Sequence, residues 1–327
     1  MQTLDIFGAN YAGYTDHTRA AARGIVMHEG NILLMHAERP DVWMLPGGGL
    51  EHGETYEACS IRELGEEAGI VVEPVSPVVL LREFYEDWRY DSCFLTCRMT
   101  GSQPRSLTEG EREADLVPKW LPLSEALAIF AAHADIHPSS DEEEMRRGIY
   151  QREYLALTEA VQHGMIDLCA TDLPSLTPAR LTDLGVCPTC LNRQCGGALY
   201  GDMTDKLVFA DDDVECFFVA NPRAPGHMCI ASVEHYHDMS EAPDELNAKI
   251  IRFSKRLMQI IRDVYGCERV YLCTMCDGPM NHYHVQLIPR YKNEQRGSRN
   301  FVKQRAAYVY DETKFLAVRE RLAACLP

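Results

Sequence analysis

Gly47-Gly-Gly-Leu-Glu-His-Gly-Glu54 and, eight residues on, Arg62-Glu-Leu-Gly-Glu-Glu-Ala-Gly-Ile70 form the stretch that decides the reading of this chain. A glycine-rich loop leads into a helix expected from about Glu54 to Ala68. On that helix Glu63, Glu66 and Glu67 stand at offsets of three and four, so their carboxylates crowd one face. Solvated like-charge pairs at this spacing cost a few tenths of a kcal/mol each, and in a cleft at least one pKa would rise. A bare Glu-x-x-Glu-Glu is most often only a solvated acidic face. A hard cation gives the crowding a purpose: Mg2+ or Mn2+ takes carboxylate oxygens, keeps several waters, bridges substrate phosphates and acidifies an attacking water. That is the chemistry of pyrophosphate hydrolysis.

The surroundings favour the cation. Gly48, Glu54, Arg62, Glu63, Leu64, Glu66, Glu67, Gly69 and Ile70 fall in the order Gly, five residues, Glu, seven residues, Arg-Glu-aliphatic-x-Glu-Glu-x-Gly-aliphatic. This stretch resembles the Nudix box, and with Leu45-Pro46-Gly47 and Lys119-Trp120-Leu121-Pro122-Leu123 the resemblance to Nudix hydrolases covers about residues 20 to 163. It implies an α/β/α sandwich with a mixed sheet, metal ligation by Glu63, Glu66, Glu67 and the Gly47 carbonyl, and catalysis through Glu66 and Glu67. Arg62 and Glu54 would orient the glutamates and the loop, with Arg62 on the substrate side. An additional distal glutamate often joins the site, for which Glu111 and Glu113 are both candidates.

Working outward, 327 residues suggest two domains, and 46% hydrophobic with 25% charged residues suits a folded globular chain. Acids outnumber Lys and Arg by 49 to 32, which argues against nucleic acid or anionic lipid as a partner. Met1 to Asp16 lacks the apolar run of a signal peptide, and no membrane-length apolar stretch occurs. Thirteen cysteines, ten of them from Cys169 onward, fit a cytoplasmic protein with a metal site better than a disulfide scaffold.

Gly24 to Met27, Glu29-Gly30-Asn31 and Ile32 to Met35 read as a hairpin. Strands follow at Val78 to Leu81 and Cys93 to Cys97, and helices at Ser124 to Ala132 and Glu142 to Val161, the last marked by Met145, Ile149, Leu155 and Leu157. Residues 1 to 163 thus form one α/β domain, 164 to 185 an irregular linker with Pro174 and Pro178, and 186 to 327 a second domain. In the second, strands are expected at Leu207 to Ala210, Cys216 to Ala220, Met228 to Val233, Val270 to Thr274 and Tyr283 to Ile288. A long helix, Asp244 to Tyr265, carries the stripe Leu246, Ile250, Phe253, Leu257, Ile260 and Val264, and Gly266 stops it.

In the strand His282-Tyr-His-Val-Gln-Leu-Ile-Pro-Arg290, His282, His284 and Gln286 share a face. A histidine pair on a strand is more often structural than reactive. Upstream, Cys187-Pro188-Thr189-Cys190 has the spacing for two thiolates on one Zn2+, which His235 and His282 could complete. Cys273-Thr274-Met275-Cys276 offers a competing four-cysteine site, and Cys195 stays open.

Together with Asn221-Pro222-Arg223-Ala224-Pro225-Gly226-His227, this region resembles the histidine triad (HIT) superfamily, in the His-x-His-x-Gln branch that includes galactose-1-phosphate uridylyltransferases. The resemblance implies an antiparallel sheet with helices, His284 as the nucleophile that forms a nucleotidyl-histidine, and Gln286 as binder of a phosphoryl oxygen. Imidazole suits that role near neutral pH. Gln286 donates a hydrogen bond but no useful proton, so the leaving group must already be good.

The whole chain then reads as a bifunctional enzyme of nucleotide metabolism acting on dinucleoside polyphosphates, ADP-ribose or nucleotide sugars, and compatible with a homodimer. The contrasting expectation is a nucleotide sensor with one catalytic and one binding-only domain. Tyr85, Trp88 and Tyr90 could stack on a base, although filling a core is the commoner use.

Overall fold

Side chains alternate across a strand, so β2 (His17–His28) sends Ala22, Gly24 and Val26 to one face and Arg23 and Ile25 to the other. The first face receives α1 (Tyr56–Glu63), prolonged by a π-helical turn over Leu64–Ala68. Ala22, Val26, Leu33, Cys59, Leu64, Ile70, Val72 and Leu95 make one buried cluster there. Gly24 permits the close approach, since a Cβ on it would lie 2.7 Å from Leu64 Cδ2. The opposite face takes α4 (Asp141–Gln162), whose Arg152 meets Glu83 at 3.3 Å and whose Glu153 faces Arg23 at 3.8 Å.

This computed structural model describes residues 1–199, 206–219, 222–275, 278, 280–292, 294, 296 and 311–325. The chain divides into two compact units, Met1–Val186 and Cys187–Pro327. In the first, β1 (Gln2–Phe7), β6 (Ile70–Tyr85), β7 (Trp88–Ser102), β2, β3 (Asn31–Ala37) and β4 (Val42–Met44) lie in that order, with β5 (Gly47–Gly49) on β2 and β8 (Leu116–Pro122) on β3. The pairs β1/β6 and β2/β7 are parallel and β6/β7 antiparallel, so the sheet is mixed and helices cover both faces. The β2/β3 turn places Glu29 and Gly30 at φ +47° and +79°, the left-handed pair that suits a tight hairpin.

Three expectations change. The strands foreseen at Val78 to Leu81 and Cys93 to Cys97 are parts of β6 and β7, 16 and 15 residues long. Register shifts at Pro74/Ser76 and Pro77/Val79 let β6 continue past its prolines. On α4 the buried side is Tyr150, Arg152, Glu153, Ala156, Leu157, Ala160 and Val161, while Met145 is exposed. Ionisable residues inside the helix disguised its inner face. Finally, 164–185 is not irregular: it carries short helical turns at Leu168–Ala170 and Leu173–Ser175 and α5 (Pro178–Asp183), and buries Leu168, Leu173, Leu176, Leu181 and Leu184.

The second unit holds an antiparallel sheet in the order β12 (Arg269–Cys273), β13 (His284–Arg290), β11 (Met228–Ser232), β10 (Val214–Phe218), β9 (Leu207–Ala210). α6 (Pro188–Gln194) opens the unit, and α7 (Asp244–Tyr265) ends at Gly266 with φ +67°. α7 and α8 (Glu312–Ala323) share one core with the sheet through Ile250, Leu257, Ile261, Phe315 and Val318. Among the described residues no helix is long and apolar enough to cross a membrane.

Candidate functional site

Thr55 starts α1 by accepting the Ala58 N–H at 3.2 Å, and Gly69 at φ +71° closes the π turn. Between these limits the helix delivers Glu63 and Glu67 as buried carboxylates and leaves Glu66 partly exposed. The preceding loop must be glycine to receive them. A Cβ on Gly48 would collide with the Glu63 carboxylate, and one on Gly47, whose φ is +141°, with the Ala22 carbonyl. Gly47 N–H donates to Glu67 Oε2 at 2.9 Å, and its carbonyl accepts from Arg23 Nη1 at 3.4 Å.

Arg62 organises the rest. Its Nε and Nη2 donate to the two Glu54 oxygens at 3.0 and 2.9 Å, its Nη1 to Glu63 Oε1 at 2.7 Å and Glu66 Oε2 at 3.2 Å, and its Nη2 to the Gly49 carbonyl at 3.0 Å. This fork holds the Glu54 carboxyl down at about 2. Burial raises Glu63 despite Arg62, and Glu66 and Glu111 add to the rise. Burial pushes Glu67 up to about 8 against the Gly47 N–H and Arg23, reinforced by Glu63 and Glu111. Of the two distal candidates, Glu111 is the one whose charge reaches both buried glutamates; it sits on α2 (Glu109–Glu113) in a reciprocal cap with Thr108. Burial raises Glu63 and Glu67, a strain that a divalent cation would relieve, and Glu66 stands beside them on the same Arg62 fork, so the three carboxylates fit Mg2+ or Mn2+.

A cavity of about 530 Å³ opens beside Gly48 and Gly49, with Arg19, Arg23 and Arg152 among its lining residues. Tyr85, Trp88 and Tyr90 form part of its wall, which corrects their reading as core side chains. The Trp88 and Tyr90 rings stack with centroids 5.6 Å apart. Gly148 on α4 leaves room for the Tyr85 hydroxyl.

In the second unit Cys187, Cys190, His235 and His282 bring their ligand atoms within 4.8 Å of one another. A tetrahedral zinc with bonds of about 2.0–2.3 Å requires ligand separations of about 3.3–3.8 Å. The contacts match: Cys190 Sγ to His282 Nδ1 3.3 Å, Cys190 Sγ to His235 Nδ1 3.4 Å, Cys187 Sγ to His282 Nδ1 3.5 Å, and the two Nδ1 atoms 3.4 Å. His282 Nε2 donates to the Ser232 carbonyl at 2.9 Å, which frees Nδ1 as a lone-pair donor. Cys190 and His282 hold the Cys187 thiol far below its usual range. Cys273 lies outside this cluster, Cys195 is disulfide-bonded, and Cys276 falls outside the described residues.

Beside the cluster runs a chain of hydrogen bonds that fixes the rings of His227 and His284. The Arg223 N–H donates to His227 Nδ1 at 3.1 Å, so His227 carries its proton on Nε2 and gives it to Gln286 Oε1 at 3.2 Å. Gln286 Nε2 then donates to His284 Nε2 at 3.2 Å, and His284 Nδ1 donates to the His282 carbonyl at 2.8 Å. The lone pair of His284 therefore sits on Nε2, within the site. His227, buried at the foot of β11, was not foreseen as part of it. It directly precedes β11, and the pairing of that strand with β13 brings it to Gln286.

Comparison with known proteins agrees with this division. Residues 17–141 match the NUDIX domain and residues 201–293 the HIT domain. An uncharacterized HIT-like protein of Methanocaldococcus jannaschii is 26% identical over 98 residues, 29% of this chain and 75% of that protein. A Bacillus subtilis protein provisionally named ADP-ribose pyrophosphatase YjhB is 29% identical over 109 residues, 32% of this chain and 52% of its own length. Diphosphoinositol polyphosphate phosphohydrolase 3-alpha of Mus musculus is 26% identical over 112 residues, 33% of this chain and 65% of that protein. Each relative thus matches about a third of this chain, and the chain spans only about half the length of the Bacillus protein. The chain joins a Nudix domain to a HIT domain in one polypeptide.

Proposed function

We propose that this protein carries two reactive sites for nucleotide conjugates: a metal-dependent phosphoanhydride hydrolase in the first unit and a nucleotidyl-histidine site in the second. The observation that carries the first is the gathering of Glu63, Glu66 and Glu67 around the Arg62 fork and the Gly47 to Gly49 loop, whose Gly48 and Gly49 line the aromatic-walled cavity. Glu63, Glu66, Glu67 and the Gly47 carbonyl would hold Mg2+ or Mn2+, which would neutralise phosphate charge and lower the pKa of water. Glu66 and Glu67 take the catalytic roles, Arg62 keeps the carboxylates aimed, and the nucleoside end lies in the cavity against the stacked Trp88 and Tyr90 rings. The substrates this fits are ADP-ribose, nucleotide sugars and dinucleoside polyphosphates.

In the second unit His284 Nε2 attacks an α-phosphorus, the bond to a good leaving group breaks, and a nucleotidyl-histidine forms for later transfer to water, phosphate or a sugar phosphate. The Gln286 amide, which holds the lone pair in the free protein, turns its N–H to a phosphoryl oxygen. Cys187, Cys190, His235 and His282 would hold a structural Zn2+ that ties the start of the unit to the His282 end of the motif.

The test is product analysis on ADP-ribose, a nucleotide sugar and a dinucleoside polyphosphate with magnesium, comparing the parent chain, Glu67→Gln and His284→Ala. Glu67→Gln is expected to remove metal-dependent hydrolysis by at least about 100-fold. Turnover unchanged by either substitution on every substrate would overturn the proposal.

A further inference from the structure

The third position of a His-x-His-x-His motif can carry a proton and a positive charge, whereas Gln286 is neutral at any pH. A phosphoryl group beside His284 brings negative charge into a half-buried site on a chain of formal net charge −17, so a cation must come from elsewhere. Many cations of the second unit are already engaged. Arg193 pairs with Glu215, Lys249 with Asp211 and Asp213, Arg290 with Glu268, and Arg321 with Asp263.

Arg223 is not. Among the described residues its guanidinium makes no ion pair or hydrogen bond, and its Nη1 is shut off from solvent without a partner. A buried guanidinium nitrogen left unpaired is costly unless something arrives to meet it. Its backbone is anchored to the site, because the Arg223 N–H donates to His227 Nδ1 and His227 holds Gln286. Its charge also reaches the right face of the sheet. Cys273 pairs in register with Gln286, so the two side chains share a face, and while burial raises the Cys273 thiol the Arg223 guanidinium draws it back down. His284, two residues before Gln286, presents to that same face.

We infer that the Arg223 guanidinium is the phosphate anchor of the His284 site, supplying the positive charge that Gln286 cannot. The ligand class is an anionic nucleoside 5′-phosphate or its anhydride, in preference to a neutral nucleoside. The inference rests on His284 marking a nucleotide site, and its test separates the two. In the full chain, binding of AMP and of adenosine is followed by NMR through the ring signals of His284, identified by their loss in His284→Asn.

AMP is expected to act at concentrations at least about tenfold lower than adenosine. Arg223→Ala brings the two within about twofold, and Arg223→Lys retains part of the preference, while bound zinc and the remaining histidine signals stay as they were. An AMP preference undiminished in Arg223→Ala overturns the inference, as does a parent chain that binds both alike. Failure to trap nucleotidyl-His284 from any conjugate would remove the covalent chemistry, and the AMP-to-adenosine ratio would still decide the role of Arg223.

Discussion

At Glu67 burial and charge pull against each other: the carboxyl sits beside Glu63, is held by the Gly47 N–H, and is pushed up to about 8. A divalent cation must therefore displace a proton at neutral pH. Because the metal takes the deprotonated form, its apparent affinity rises with pH until Glu67 is ionised and then levels off. Magnesium titration of the chain is expected to show tighter binding at pH 8.5 than at pH 6.5, with proton release at the lower pH; equal affinity at both would contradict this account of Glu67. The residue offsets made Glu63, Glu66 and Glu67 legible from sequence. The choice between Glu111 and Glu113 was not, because it depends on how a short helix from a distant part of the chain is set. His227 was hidden for a similar reason: only the pairing of β11 with β13 brings it to Gln286. His227→Phe leaves Gln286 Oε1 without that donor, and the rate of nucleotidyl-His284 formation is expected to fall at least about tenfold with zinc content unchanged.

The box is a helix seated on a strand through one glycine. A methyl group on Gly24 would press on Leu64 across the contact between β2 and the π turn. Gly24→Ala is expected to cost about 1–3 kcal/mol of stability in the first unit, read from chemical denaturation; an unchanged midpoint would show that α1 shifts freely on the sheet. Gly48→Ala acts on function instead, since the atoms nearest to its new methyl group are the carboxylate end of Glu63. Metal-dependent hydrolysis should drop at least about tenfold while the unfolding midpoint barely moves. Both the hairpin at Glu29-Gly30 and the limits of α7 followed from pattern and stop signals. The π turn at Leu64–Ala68 gave no such signal, because a helix of either pitch satisfies the same residue list over five positions. The inner side of α4 was misread for a different reason. Arg152 and Glu153 are buried by pairing with Glu83 and with each other, and hydrophobic periodicity cannot register a buried ion network.

Two compact units whose donor sets suit different metals predict different sensitivities for one polypeptide. The carboxylates of the first unit suit a readily exchanged hard cation, whereas the four Cys and His donors of the second suit a structural zinc. Cys190→Ser is expected to lower zinc content from about one per chain towards zero and to lower the melting temperature of the second unit, with magnesium-dependent hydrolysis in the first retained. The central claim is that the chain holds two separate chemistries. It is tested most directly by measuring both in the same samples: magnesium-dependent hydrolysis, and acid-labile labelling of His284 from a labelled nucleotide conjugate. The account predicts that Glu67→Gln loses hydrolysis and keeps the label, while His284→Ala loses the label and keeps hydrolysis. Loss of both activities in either variant, or of neither in both, would contradict it.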